Sequence, residues 1–344
     1  MRNYLKVSRI VIICSVLFAG CSDNPHAVDV SNIDADVSVK RFEADLDEAS
    51  NVEDVLQLKE EYGVFYEAYS DWIMVSVTGG GRVEPREKAR RLLDFTATQE
   101  WDTLLEVSNA RYANFSDVRS DLNQAFRYLK YHFPEATDPE IITYLATFEV
   151  GAFTIEESGQ IGIGLDMFLG ADFPVYQWLD PNRFPRYRTR KFREDYIVPL
   201  VVKGVADLYA KPGEVRTCID QMILAGKRLY FMDAVLPFTP DSLKIGYLEG
   251  QIEWCEQNEF QIWSHFLENN LLFSSQESEY MRYFNDGPFT SAKNMPREAS
   301  PRVGEWVGWQ LVRTYMEKNP GVSLKELMGN TRYQEIFTES RYKP

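Results

Sequence analysis

Cysteine, histidine and basic charge are all scarce in this chain of 344 residues. There are four cysteines and three histidines, and 37 Lys and Arg stand against 52 Asp and Glu, a formal net charge of −15. A body this acidic repels phosphate backbones, which disfavours nucleic-acid binding. It also argues against broad electrostatic contact with anionic lipid. His26, His132 and His265 are far apart, and no His-Glu-x-x-His sets two imidazoles one helical turn apart. A Cys-x-x-Cys pair and a Gly-x-Ser-x-Gly elbow are missing as well. These absences predict no catalytic residue, no metal ligand and no cofactor. Past the first 20 residues no apolar run approaches the roughly 20 residues of a spanning helix. No repeat, low-complexity tract or Pro/Gly/Ser-rich linker divides the remainder, so one domain is expected.

What is present begins with "MRNYLKVSRIVIICSVLFAGCSDNP". Arg2, Lys6 and Arg9 form a basic start, and the apolar run Ile10–Ala19 has the length of a signal-peptide core. Ala19 and Gly20 then precede Cys21, which resembles a bacterial lipobox, with Phe18 where the pattern prefers Leu. Residues 1–20 read as a cleaved signal, Cys21 as the lipidated residue and 21–35 as a tether. Acyl chains anchor a protein without making it span. Losing the signal removes three basic and no acidic residues, leaving a net charge near −18. Cys218 and Cys255 fall on apolar helical stripes and read as buried free thiols rather than a bridge.

The body, 36–344, reads as α+β: a helix-dominated single domain with a small, mostly antiparallel sheet. Alternation marks strands at Asp36–Leu46, Ile141–Phe148 and Ile161–Met167, the last two pairing across the acidic connection 156–159. Helical periodicity marks Val55–Ser70, Pro85–Leu93, Gln99–Val107, Ser116–Tyr131, Asp195–Tyr209, Glu214–Ala234, Leu248–Phe273, Arg302–Lys318 and Leu324–Phe337. Asp180–Arg190 reads as a polar, proline-spaced loop.

The stretch "GQIGIGLDMFLG", Gly159–Gly170, looks at first like a phosphate loop. Such loops lie between a strand and a helix N-terminus. Here the glycines alternate with apolar residues inside a strand, where glycine marks a bend or a close backbone approach. Asp166 reads as a solvent-facing strand residue or one bonded to nearby backbone, since one carboxylate does not make a calcium site. His132 reads as a helix C-terminal cap and His265 as a satisfied, half-buried imidazole. Glu249, Glu253 and Glu256 read as a solvated helix face. Trp254, Trp263 and Trp309 are expected to be mostly buried; exposed and coplanar, they would instead suit a surface glycan-binding lipoprotein.

The strings "IGIGLDMFLGADFPVY", "MILAGKRLYFMDAVLP", "WCEQNEFQIWSHFLENNLLFS", "SPRVGEWVGWQLVRTYM" and the final "RYKP" resemble the gliding motility lipoprotein GldB family. The resemblance implies a lipid-anchored envelope protein that supports gliding or associated secretion. It implies partners in that machinery and a membrane contact through Cys21, with no defined reaction. The family is also distantly similar to zincin-type metalloprotease domains, in which an edge strand precedes a His-Glu-x-x-His helix. At that place this chain reads Ile197-Val198-Pro199-Leu200-Val201-Val202-Lys203, with neither His nor Glu. The likeness therefore implies a degenerate scaffold in which Gly159–Gly170 borders an empty cleft. The rival expectation is an envelope hydrolase that uses an acid pair or a carboxylate-held metal.

Overall fold

The computed structural model describes residues 24–211 and 213–344. The signal and Cys21 lie outside the described residues. Four strands form one mixed sheet in the order β1-β2-β4-β3. They are β1 (Ser38–Arg41), β2 (Glu140–Tyr144), β3 (Ala152–Ile155) and β4 (Gln160–Gly164). β2 and β4 pair as expected, but in parallel, with Ile141 opposite Ile161. β1 also runs parallel to β2. Only β3 and β4 are antiparallel, so the expectation of a mostly antiparallel sheet is corrected to a mixed one. The cause is local. The turn 156–159 closes a hairpin from β3 rather than from β2, with Gly159 at φ +70° and its N–H on Ile155 O at 2.9 Å. β3 has only four residues, half-buried except Ile155, and its periodicity is faint. Apart from their first residues, β2 and β4 are buried throughout, as parallel strands covered on both faces must be.

β4 is thus an interior strand, which corrects its expected place at the cleft border; the antiparallel edge is β3. Its glycines do mark close approach. A Cβ on Gly162 would stand 2.2 Å from a Phe153 ring carbon, and one on Gly164 2.5 Å from Val150 O. The strand passes into the single turn Leu165–Met167 and not into a helix N-terminus, so it has no phosphate-loop geometry.

The helices wrap this sheet. The early strand is shorter than expected, because Phe42 starts α1 (Phe42–Glu48) directly after β1. Gly63, at φ +53°, ends α2 (Val52–Tyr62) and splits the expected Val55–Ser70 helix. α3 (Pro85–Thr96), α4 (Gln99–Tyr112) and α5 (Ser116–His132) follow. α6 (Ile197–Tyr209) lies across β3 and β4, with Gly204 against Thr154. α7 (Cys218–Val235) starts later than expected because Thr217 and Asp220 make a capping box. Fifteen of its eighteen residues are buried, which identifies it as the central helix of the body. α8 (Glu259–Glu268), α9 (Val303–Lys318) and α10 (Tyr333–Ser340) complete the fold, with α9 packed along α7. Cys218 and Cys255 are both free and buried. Burial pushes their thiols up, to about 12 and about 11.

The stretch read as a tether lies against the body from Asn24 onward. Asn24 donates to Pro237 O at 2.6 Å, Tyr128 donates to Val28 O at 3.0 Å, and Val30 is buried. None of the helices among the described residues is long and apolar enough to cross a membrane.

Candidate functional site

The residues weighed for chemistry do not converge. His265 bonds Tyr283 Oη at 2.7 Å from Nε2 and is almost fully buried, a satisfied structural imidazole. His132 closes α5, but burial and the nearby His26 push it down to about 4. It is therefore neutral at ordinary pH and no cationic cap. Glu249, Glu253 and Glu256 are exposed, as a solvated face requires. Trp309 and Trp263 are buried and Trp254 is half-buried, so these three make no exposed platform. Among the described residues, no three His, Cys, Asp or Glu side chains come together as metal ligands would.

Asp166 is fully buried, against the solvent-facing alternative. Its Oδ2 accepts the Phe148 N–H at 2.7 Å, and Oδ1 has no partner. Phe148 sits at φ +64°, a conformation that costs energy for a bulky residue, so the carboxylate pins a strained loop. Burial raises its carboxyl to about 7, against the pull of backbone donors at Phe148 and Ala146. A carboxyl raised on folding binds more protons in the native state than in the unfolded one. Stability therefore falls as pH rises from near 4 to near 7. Thermal melts at pH 5 and pH 8 should show the wild type losing a few degrees, while Asp166→Asn loses much less. An equal loss in both proteins would refute the assignment.

The feature that stands out is a basic one. Residues 183–193 read Arg-Phe-Pro-Arg-Tyr-Arg-Thr-Arg-Lys-Phe-Arg, six cations in eleven positions of an acidic chain. Phe184, Thr189 and Phe192 are buried, and Phe192 packs edge-on against Tyr176 with centroids 5.0 Å apart. Pro185 opens the single turn Arg186–Thr189 between these anchors. With the apolar residues turned in, most of the cations turn out. Arg183 pairs with Glu149 and Arg193 with Asp195. Arg186 and Arg190 are exposed and have no carboxylate partner among the described residues. In the sequence, Asp180–Arg190 reads only as a polar, proline-spaced loop. The signal that could have found it was its charge, set against the sign of the whole chain.

Behind the strip lies a cleft of about 230 Å³. Met167 and Phe168 from the turn after β4, and Pro199 and Leu200 from α6, give it an apolar lining. Lys191, Lys203 and Arg302 supply positive charge, and Asp286 is the one carboxylate among its lining residues. Asp286 Oδ1 is 3.4 Å from both Lys191 Nζ and Arg302 Nε. Arg302 is nearly buried; it donates to Ile245 O at 2.6 Å and Gly246 O at 3.1 Å and pairs with Glu305 at 3.2 Å. Its Nε has no hydrogen-bond partner. Burial first, then the Arg302 charge, lowers the Lys191 ammonium to about 8.

Neither a curated protein nor a solved structure matches the chain, so the zincin likeness gains no support from them. The model of the family described as gliding motility protein GldB matches residues 23–344, nearly the whole length. With that coverage, the chain belongs to the GldB family of gliding motility proteins.

Proposed function

We propose that the protein is a lipid-anchored, non-catalytic component of the cell envelope. In this reading Cys21 holds it to the membrane and the strip Arg183–Arg193 docks an acidic protein of the gliding or associated secretion machinery. One observation carries the docking: Arg186 and Arg190 stand exposed and without carboxylate partners among the described residues, on a chain of net charge −15. Unpaired cations on an acidic body steer a negatively charged partner to one face and repel it elsewhere. The family membership supports the envelope and motility setting.

The test is in-cell crosslinking with a C-terminal tag, read together with surface spreading. Arg186→Glu combined with Arg190→Glu should leave the protein folded and membrane-bound. It should abolish the principal crosslink and reduce spreading severely. Cys21→Ser should release the protein from the membrane fraction. An unchanged crosslink pattern and normal spreading in the double variant would end the docking proposal. Stoichiometric zinc or manganese in the purified protein would favour the hydrolase instead.

A further inference from the structure

The inner cleft behind the exposed strip, which shares Arg188 and Lys191 with it, is a second place where the charge arrangement calls for a ligand. Its lining brings Lys191, Lys203 and Arg302 together over an apolar floor, with Asp286 as the only lining carboxylate among the described residues. Asp286 is shared at 3.4 Å by two of these cations, a long contact for each. Lys203 has no carboxylate partner among the described residues. Arg302 is fixed by two backbone carbonyls and Glu305, and its side chain is only 8% exposed. A half-dry cleft with surplus positive charge is costly to keep empty, because like charges repel more strongly where water is partly excluded.

We propose that this cleft binds an organic acid with a short apolar tail, its carboxylate toward the Lys191 and Lys203 ammoniums and its tail on Phe168 and Leu200. A carboxylate satisfies both lysines with charge-assisted hydrogen bonds. The apolar lining selects a tail and disfavours a bare inorganic anion, and the volume limits the tail to one short alkyl chain or one side chain. Two sources carry that chemistry: a short fatty acid, and the C-terminal residue of a peptide chain. The proposal goes beyond the docking role of the strip, and its failure leaves that role standing.

The lysine also supplies a signature that needs no variant. Lys191 Nζ faces Asp286, Arg302, Lys203, Arg188 and the Tyr187 ring, whose centroid is 6.0 Å away. Lys244 lines the same cleft but is tied to Asp233 and Asp241. With its ammonium lowered to about 8, Lys191 is part-neutral at pH 8, and a bound anion would recharge it. Binding there should draw a proton from the buffer.

Cys21→Ser protein, which keeps every described residue, is titrated calorimetrically with octanoate, octanol, and a hexapeptide ending in leucine as free acid or amide. At least one acid should bind, with its neutral counterpart roughly tenfold weaker or more. Binding of octanoate alone identifies a small acid, and binding of the free-acid peptide identifies a protein C-terminus; either supports the site. At pH 8 the heat should vary with buffer ionisation enthalpy, and Lys191→Gln should remove that variation. Lys203→Gln should weaken binding roughly tenfold, and Lys343→Gln, at an exposed lysine outside both the strip and the cleft, should leave it unchanged. No binding by either acid, equal binding by the neutral analogues, or no proton uptake would overturn the proposal.

Discussion

Gly226→Ala and Gly308→Ala are each expected to unfold the protein or lower its melting temperature by many degrees. These two glycines lie where α7 and α9 cross. A Cβ on Gly226 would stand 2.0 Å from Gly308 O, and one on Gly308 1.9 Å from Met222 O. Both collisions are with backbone, so no rotamer change relieves them. Overpacking that side chains can absorb costs about 1–3 kcal/mol. Here two buried helices must move apart, which places the loss at the top of that range or above it. Alanine recovers only ~1 kcal/mol of helix propensity over glycine. Gly329→Ala is the control, because a Cβ there meets nothing within 4 Å. Circular-dichroism melts decide it. Wild-type melting by either crossing variant would mean that the helices do not approach this closely.

Asp233→Asn should be the second most damaging change. Asp233 lies near the end of α7, 3% exposed, and four donors converge on it. Arg313 gives two hydrogen bonds at 2.8 Å, Trp309 Nε1 one at 2.8 Å and Lys244 one at 2.9 Å. The Arg313 guanidinium also stacks 3.8 Å from the Trp309 ring centroid. Asparagine keeps the shape but removes the charge, leaving Lys244, whose side chain is 4% exposed, to the longer contact with Asp241 at 3.2 Å. Breaking a buried ion pair from one side costs about 3–5 kcal/mol. Lys244→Met should cost less, since Arg313 still neutralises Asp233. Burial works to raise the Asp233 carboxyl, but Arg313 and then Lys244 outweigh it and hold it below the usual range. Its contribution is therefore present above the ordinary aspartate pKa and disappears as pH falls through the lower, folded value. Wild type should lose this stability in strong acid, and Asp233→Asn, which lacks it already, should not. Denaturant titrations at pH 7 and at acid pH test both points.

The local features were largely legible. Helical periodicity over Glu214–Ala234 marked the helix that is α7, and Thr217 with Asp220 shows why it begins where it does. Buried free thiols at Cys218 and Cys255 followed from their apolar neighbours. Helix ends were less legible. Gly63 divides one expected helix, and Leu248–Phe273 resolves into Gln251–Gln257 and α8, separated at Asn258. A hydrophobic period runs on across such breaks because both pieces face the same core. β3 was missed because three half-buried residues and one buried one alternate too weakly to register.

Composition, motif absence and periodicity are sums over neighbours in the chain, and they determined the acidic helix-rich class and the missing His-Glu-x-x-His. Strand order, the Asp233 cluster and the cation-lined cleft join residues from distant parts of the chain, such as Met167, Lys191, Lys203 and Arg302. No local pattern encodes such meetings. They exist only because β4 lies between β2 and β3, α6 lies across the sheet, and two glycines let α7 and α9 touch backbone to backbone.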